Sequence, residues 1–82
     1  MSTVFEIIKQ EISATSPLDV DSTNILEESW LVEFGFDSVN SLELIMSLEE
    51  QFDIEIEDEH VAAIQTVKDM VSMIEAYLEN GQ

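Results

Sequence analysis

The run Phe34-Gly35-Phe36-Asp37-Ser38-Val39, continuing as NSLELIMSLEEQF to residue 52, decides the fold. Gly35 supplies a flexible or left-handed backbone position just ahead of a helix start. Asp37 is the predicted N-cap, because its carboxylate can accept from a free backbone N–H and complements the helix dipole. The helix is predicted from about Ser38 to Phe52. Counted around the helix, Leu44, Ile45, Leu48 and Phe52 fall together as a core side, while Asn40, Glu43, Ser47 and Glu50 fall on a wet side. Between them run Val39, Glu43, Met46 and Glu50 at i, i+4, i+7 and i+11. That stripe alternates apolar and acidic groups, a pattern suited to a mixed binding surface.

Upstream, a first helix is predicted from about Thr3 to Ala14. Val4, Phe5, Ile8 and Ile12 recur at helical spacing. Ser2 or Thr3 can cap its start, with Glu6 completing a capping box after Thr3. Ser16-Pro17 closes it, since a residue before proline is driven out of the helical region. A connection from about Ser16 to Phe36 follows, rich in the turn formers Asp19, Asp21, Ser22, Thr23 and Asn24. So long a loop in a small domain needs a function or its own anchors. Leu18, Val20, Ile25, Leu26, Trp30, Leu31 and Phe34 are the available apolar anchors. Downstream, Asp53-Ile-Glu-Ile-Glu alternates like a strand but has no partner strand, and reads as an extended linker. A short third helix is predicted over about Glu57 to Ile64. A fourth carries the stripe Val67, Met70, Val71, Ile74, Tyr77, Leu78, opened by Thr66 with Asp69 as a capping box and closed by Asn80-Gly81.

These elements describe an all-α, four-helix bundle in a single domain over residues 1–82, with three longer helices, one short helix and a long loop between the first two. The 82 residues suffice for one modest core, and a hydrophobic content of 45% argues against a disordered acidic tail. Nineteen acidic residues face two basic ones, Lys9 and Lys68, giving a net charge of −17. Such a field repels nucleic acid and anionic membranes and draws in basic protein patches. It also favours a monomer. Cysteine is absent, so no disulfide or thiolate metal site exists, which fits a cytoplasmic protein. The first residues, MSTVFEIIKQE, do not read as a signal peptide, and no apolar run is long enough to span a bilayer.

Little in this composition can do chemistry. A serine after aspartate at a helix start is ordinarily a capping hydroxyl. A serine nucleophile needs an adjacent base, yet the one histidine, His60, is remote in sequence and no G-x-S-x-G elbow surrounds Ser38. Asp19-Val-Asp21-Ser-Thr23-Asn24 starts like a calcium loop but has Asn24 in place of glycine and Trp30 in place of the twelfth-position glutamate, so no metal site is assigned. Trp30 and Phe34 read as anchors of the long loop. His60 reads as exposed on the third helix, without a role.

The local motif changes the reading of Ser38. G-F-D-S-V at residues 35–39, then Glu43-Leu44, Leu48-Glu49-Glu50 and Phe52, then I-x-I-x-D-E at 54–59 and Thr66-Val67, together resemble acyl carrier proteins along nearly the whole chain. The resemblance implies a carrier, not an enzyme. Ser38 would receive a 4'-phosphopantetheine arm from coenzyme A, installed by a phosphopantetheinyl transferase with magnesium. Asp37 would orient that transferase and its metal. The arm's thiol would hold acyl groups as thioesters, which accounts for a carrier without cysteine. Val39 and Met46 would fit hollows on acyl-processing enzymes, and Glu43, Glu49 and Glu50 would meet basic docking patches there. Met46, Leu48, Ile56, Val61 and Ile64 would shelter a short acyl chain.

The chain departs from housekeeping fatty-acid carriers at Val39, Asn40, Glu57 and the apolar Trp30-Leu-Val-Glu-Phe segment. These departures point to a specialised carrier for polyketide, modified-lipid or related acyl chemistry. Gly35-Phe36 argues against a peptidyl carrier. An aminoacyl carrier stays open, as does an acidic interaction module that is never modified.

Overall fold

Thr3–Thr15 forms α1 because Ile8 and Ile12 repeat at one-turn spacing and are both fully buried, with Val4 and Phe5 half-buried against the same core. In this computed structural model, residues 3–37 and 39–79 are described. Ser2 as a cap, Ser38 itself and the Asn80-Gly81 stop lie outside the described residues. Thr3 lies inside the helix rather than ahead of it, and Glu6 pairs with Lys9 at 3.0 Å. The Lys9 ammonium also lies 4.6 Å from the Phe5 ring centroid. The helix ends just before Ser16-Pro17, as predicted, with the Thr15 hydroxyl donating to Glu11 O at 2.7 Å.

Three further helices follow: α2 over Asn40–Phe52, α3 over Asp58–Ala63 and α4 over Val67–Glu79. α1 packs against both α2 and α4. Ile8 and Ile12, Leu44 and Leu48, and Met70 and Ile74 meet in the fully buried centre, where each side chain contributes about 1.5–3 kcal/mol by leaving water. α3 contributes no fully buried residue and leans on this core through half-buried Val61, followed by Ile64. No β-strand occurs among the described residues, and residues 53–57 run as the expected linker, with Ile54 and Ile56 buried.

Two details of the helix faces differ from the periodicity. Ser47, assigned to the wet side of α2, donates to Glu11 Oε1 at 2.6 Å, and Gln51 donates to Glu11 Oε2 at 3.2 Å, so part of that side is tied to α1. Leu78 is exposed rather than part of the α4 stripe, which is buried from Val67 to Ile74.

The long connection is ordered by two one-turn 3-10 segments, Ser22–Asn24 and Leu31–Phe34. Asp21 caps the first, its carboxylate accepting from Thr23 N and Thr23 Oγ1. Ile25, Leu31, Phe34 and Phe36 are buried, but Leu18, Leu26 and Trp30 are exposed. Trp30 is therefore not an apolar anchor. What fixes the loop instead is the start of α4, whose first four N–H groups have no partner within the helix. Val67 N donates to Ser29 O, Lys68 N to Glu27 O, Asp69 N to Thr66 Oγ1 and Met70 N to Thr66 O. The loop backbone thus completes the cap that Thr66 and Asp69 begin, and Leu31 N donates in return to Gln65 O at 2.9 Å.

Candidate functional site

The segment before residue 38 is held by three contacts. Gly35 sits in the left-handed region at φ 82° and donates its N–H to Val32 O, ending the second 3-10 turn. Phe36 then turns into the core. Asn40 reaches back from α2, its Nδ2 donating to Gly35 O at 3.1 Å.

Asp37 does the capping, although the regular helix opens later than the predicted Ser38. Its Oδ1 accepts from both Val39 N and Asn40 N at 2.9 Å, and its carbonyl accepts from Ser41 N at 3.0 Å. Asp37 is thereby tied to Val39, Asn40 and Ser41 at the mouth of α2. The amide bonds from Asn40 and Val39 hold the Asp37 carboxyl below its ordinary pKa of 3.8, so it is ionised at neutral pH.

An open cleft of about 580 Å³ adjoins this turn. Asp37 is among its lining residues. The loop supplies Trp30, Leu31, Val32 and Phe36, α2 supplies Ser41 and Leu42, and the far wall is Val61, Ala62, Ile64 and Gln65. The lining is mainly apolar, with a carboxylate beside the mouth of α2. A larger hollow of about 830 Å³, lined by Asp53, Ile54, Glu55, Glu57, His60, Ala76 and Tyr77, shares no residue with the cleft.

The expected site residues divide in space. Val39 and Met46 stand out on the outer side of α2 at 67% and 61% exposure, and Glu43 and Glu50 are exposed as well. Glu49 is different: it is half-buried and its Oε2 accepts from Ile56 N at 2.7 Å, so this carboxylate fastens the linker to α2. Of the residues expected to shelter cargo, Val61 and Ile64 line the cleft. Leu48 and Ile56 are buried in the core, and Met46 faces outward.

Counting missed Leu42, Trp30 and Val32 as cleft residues. Leu42 could have been found, because it stands three positions after Val39 and four before Met46. His60, given no role, lies with Nδ1 2.7 Å from the Tyr77 hydroxyl, which also accepts from Glu57 N at 3.0 Å. The two rings meet edge-on at 5.7 Å. Glu57, Glu59 and His60 bring ligand-type atoms within 4.8 Å of one another, but all three are exposed and His60 Nδ1 is engaged by Tyr77. Among the described residues no helix is long and apolar enough to cross a membrane.

Comparison with known proteins agrees with this geometry. Residues 3–74 match the family model described as a phosphopantetheine attachment site. The chain is 43% identical over 77 residues to an acyl carrier protein of Clostridium acetobutylicum, covering 93% of this chain and 97% of that one. It is 44% identical over 73 residues to an acyl carrier protein of Helicobacter hepaticus, covering 88% and 93%. The crystal structure of an acyl carrier protein from Thermotoga maritima superposes with a TM-score of 0.79 at 30% identity, over 96% of this chain and 94% of that one.

Proposed function

The chain belongs to the acyl carrier protein family, and from that premise we propose that Ser38 is the residue that holds its phosphopantetheine arm. The protein is a carrier and not an enzyme. When bound, the arm supplies the thiol on which an acyl group rides as a thioester. The observation that carries the assignment to Ser38 is the Asp37 turn: a carboxylate locked by two amides, at an exposed helix mouth, directly before the serine.

The residues present fit the group. A hydroxyl that must be reached by a transferase needs an exposed start of helix, and Asp37 and Val39 on either side are both exposed. Ser38 Oγ attacks the phosphorus bearing the pantetheine in coenzyme A. An O–P bond forms to serine, the P–O bond to adenosine 3',5'-bisphosphate breaks, and the serine proton passes to a base of the transferase. Asp37 Oδ1 is spent on the Val39 and Asn40 amides, so Oδ2 is the oxygen we assign to the transferase's magnesium. Those same amides are already satisfied by Asp37 and so are not free to hold a phosphate.

Val39, Met46, Glu43 and Glu50 form the docking side, meeting apolar hollows and basic groups on acyl-processing enzymes. Contacts of this kind set orientation and on-rate and are screened by salt. Val61 and Ile64, in the cleft wall, are the cargo contacts the geometry favours. We propose that residues 1–82 form one carrier domain, monomeric and cytoplasmic. We propose a specialised carrier; at Asn40, one of the departures behind this reading, the side-chain amide donates to Gly35 O, a bond that an ionised acid at that position could not make. The relatives, all acyl carrier proteins, support an acyl cargo, and a fatty-acyl or polyketide chain is the cargo we propose.

The test is thioester loading. Modified wild-type protein should accept an acyl group that neutral hydroxylamine removes, and Ser38→Ala should never load. Partner binding that is equally tight in wild type and Ser38→Ala, with no loading in either, would favour the unmodified interaction module.

A further inference from the structure

The apolar surface of α2 does not stop at the two residues singled out by spacing. Leu42, 51% exposed, stands between Val39 and Met46 on the same side of the helix. Leu42 also lines the cleft together with Trp30, 50% exposed, and Val32, 72% exposed. One continuous apolar surface therefore runs from Met46 across Leu42 to the 3-10 turn at Leu31–Phe34. Exposed apolar surface of this extent, edged by acids such as Glu33 and Glu43, marks a place where another molecule binds.

The turn that presents Trp30 and Val32 is rigid. Trp30 N donates to Glu33 Oε2 at 2.8 Å, Leu31 N to Gln65 O at 2.9 Å, and Leu31 and Phe34 are buried beneath it. A half-exposed indole on a fixed backbone is a pre-organised anchor, with little backbone entropy left to lose on contact.

We propose that Trp30 and Val32, joined to α2 through Leu42, form a second half of the surface gripped by the phosphopantetheinyl transferase. This rests on the reading that Ser38 is modified. The transferase is the occupant because Asp37 lines the same cleft and immediately precedes Ser38. An enzyme acting on the Ser38 hydroxyl must close over this neighbourhood, whereas enzymes acting at the far end of the arm need not. The chain's charge of −17 requires that the partner's apolar hollow be edged by Arg or Lys.

The experiment measures initial rates of arm transfer from coenzyme A by a purified broad-specificity phosphopantetheinyl transferase with magnesium, across a range of carrier concentrations. Wild type, Val32→Ser, Trp30→Ala and the double variant are compared. Val32 is so exposed that its replacement leaves folding untouched, and circular dichroism checks the others. The double variant should show KM raised by roughly tenfold, the effect of losing one anchor worth about 1.4 kcal/mol, with kcat within about twofold, since a docking residue acts on binding rather than on the step. A second readout uses the single tryptophan of the chain. Wild-type carrier labelled with 5-fluorotryptophan should show a shifted fluorine signal on adding the transferase. Wild-type modification with KM unchanged in the double variant, or an unshifted fluorine signal, overturns the docking role and leaves the Ser38 assignment standing. Absence of transfer to wild type removes both.

Discussion

Replacing Gly35 with alanine strikes the backbone on which the site depends. Gly35 holds φ 82°, and a left-handed conformation costs an L-residue about 1–2 kcal/mol. An added Cβ would also lie 2.9 Å from Pro17 Cγ and 3.1 Å from Leu18 Cγ. Leu18 is exposed and can swing away, but the proline ring is part of the backbone and cannot. Overpacking of this kind adds about 1–3 kcal/mol. The lower entropy of the unfolded alanine chain works against these terms and returns about 0.4–1 kcal/mol to the folded side. The net loss is about 1–5 kcal/mol, against a total stability of roughly 4–12 kcal/mol for a chain of this length. At about 4–8 °C per kcal/mol for a domain of this size, Tm should fall by at least about 4 °C. Thermal unfolding followed by circular dichroism, in salt that screens the surface charge, reads the change. Adding Pro17→Ala removes the Cγ and should recover the packing part while leaving the backbone part. A Gly35→Ala melt within about 2 °C of wild type would mean that neither the strain nor the contact carries the cost assigned to it.

Other consequences can be checked in the same way. Asp69→Ala should lower stability by about 1 kcal/mol in a chemical denaturation curve, since Asp69 Oδ2 accepts from both Gln65 N and Thr66 N. Tyr77→Phe should cost at most about 1 kcal/mol, because Glu57 N and His60 Nδ1 are exposed and take water in its place, and hydrogen exchange should quicken in α3 before α1. Stability should pass through a maximum on acidification. From neutral pH downward, loss of charge relieves the repulsion of a −17 chain, so the melt rises. Asp37, Asp69 and Asp21 have pKa values below 3.8 when folded, so their stabilisation is complete above that value and is lost as pH falls through the lower folded values. Calorimetry that showed stability rising without a turn down to strong acid would contradict the capping roles.

Side-chain spacing made α1, α2 and α4 legible, because burial of Ile8 and Ile12, of Leu44 and Leu48, and of Met70 and Ile74 follows helical periodicity directly. Asp37 as the cap was legible too, since a carboxylate at a helix mouth has one dominant use. The loop was less so. Its anchors include the carbonyls of Ser29 and Glu27, and a backbone acceptor leaves no mark on residue identity. For the same reason Trp30 read as an anchor by size alone, when its backbone is paired and its indole is left half in solvent. Glu49 and Glu50 are adjacent and chemically identical, yet one bonds to Ile56 N and the other is exposed, because only the path of the linker distinguishes them. The His60–Tyr77 pair joins residues 17 positions apart across two helices, which no local pattern announces.

The central claim is that Ser38 carries the arm. Its most direct test is the intact mass of wild type and Ser38→Ala after incubation with coenzyme A, magnesium and a broad-specificity phosphopantetheinyl transferase. One arm on wild type and none on Ser38→Ala is the expected result. An arm on Ser38→Ala, or none on a folded wild type, would contradict it.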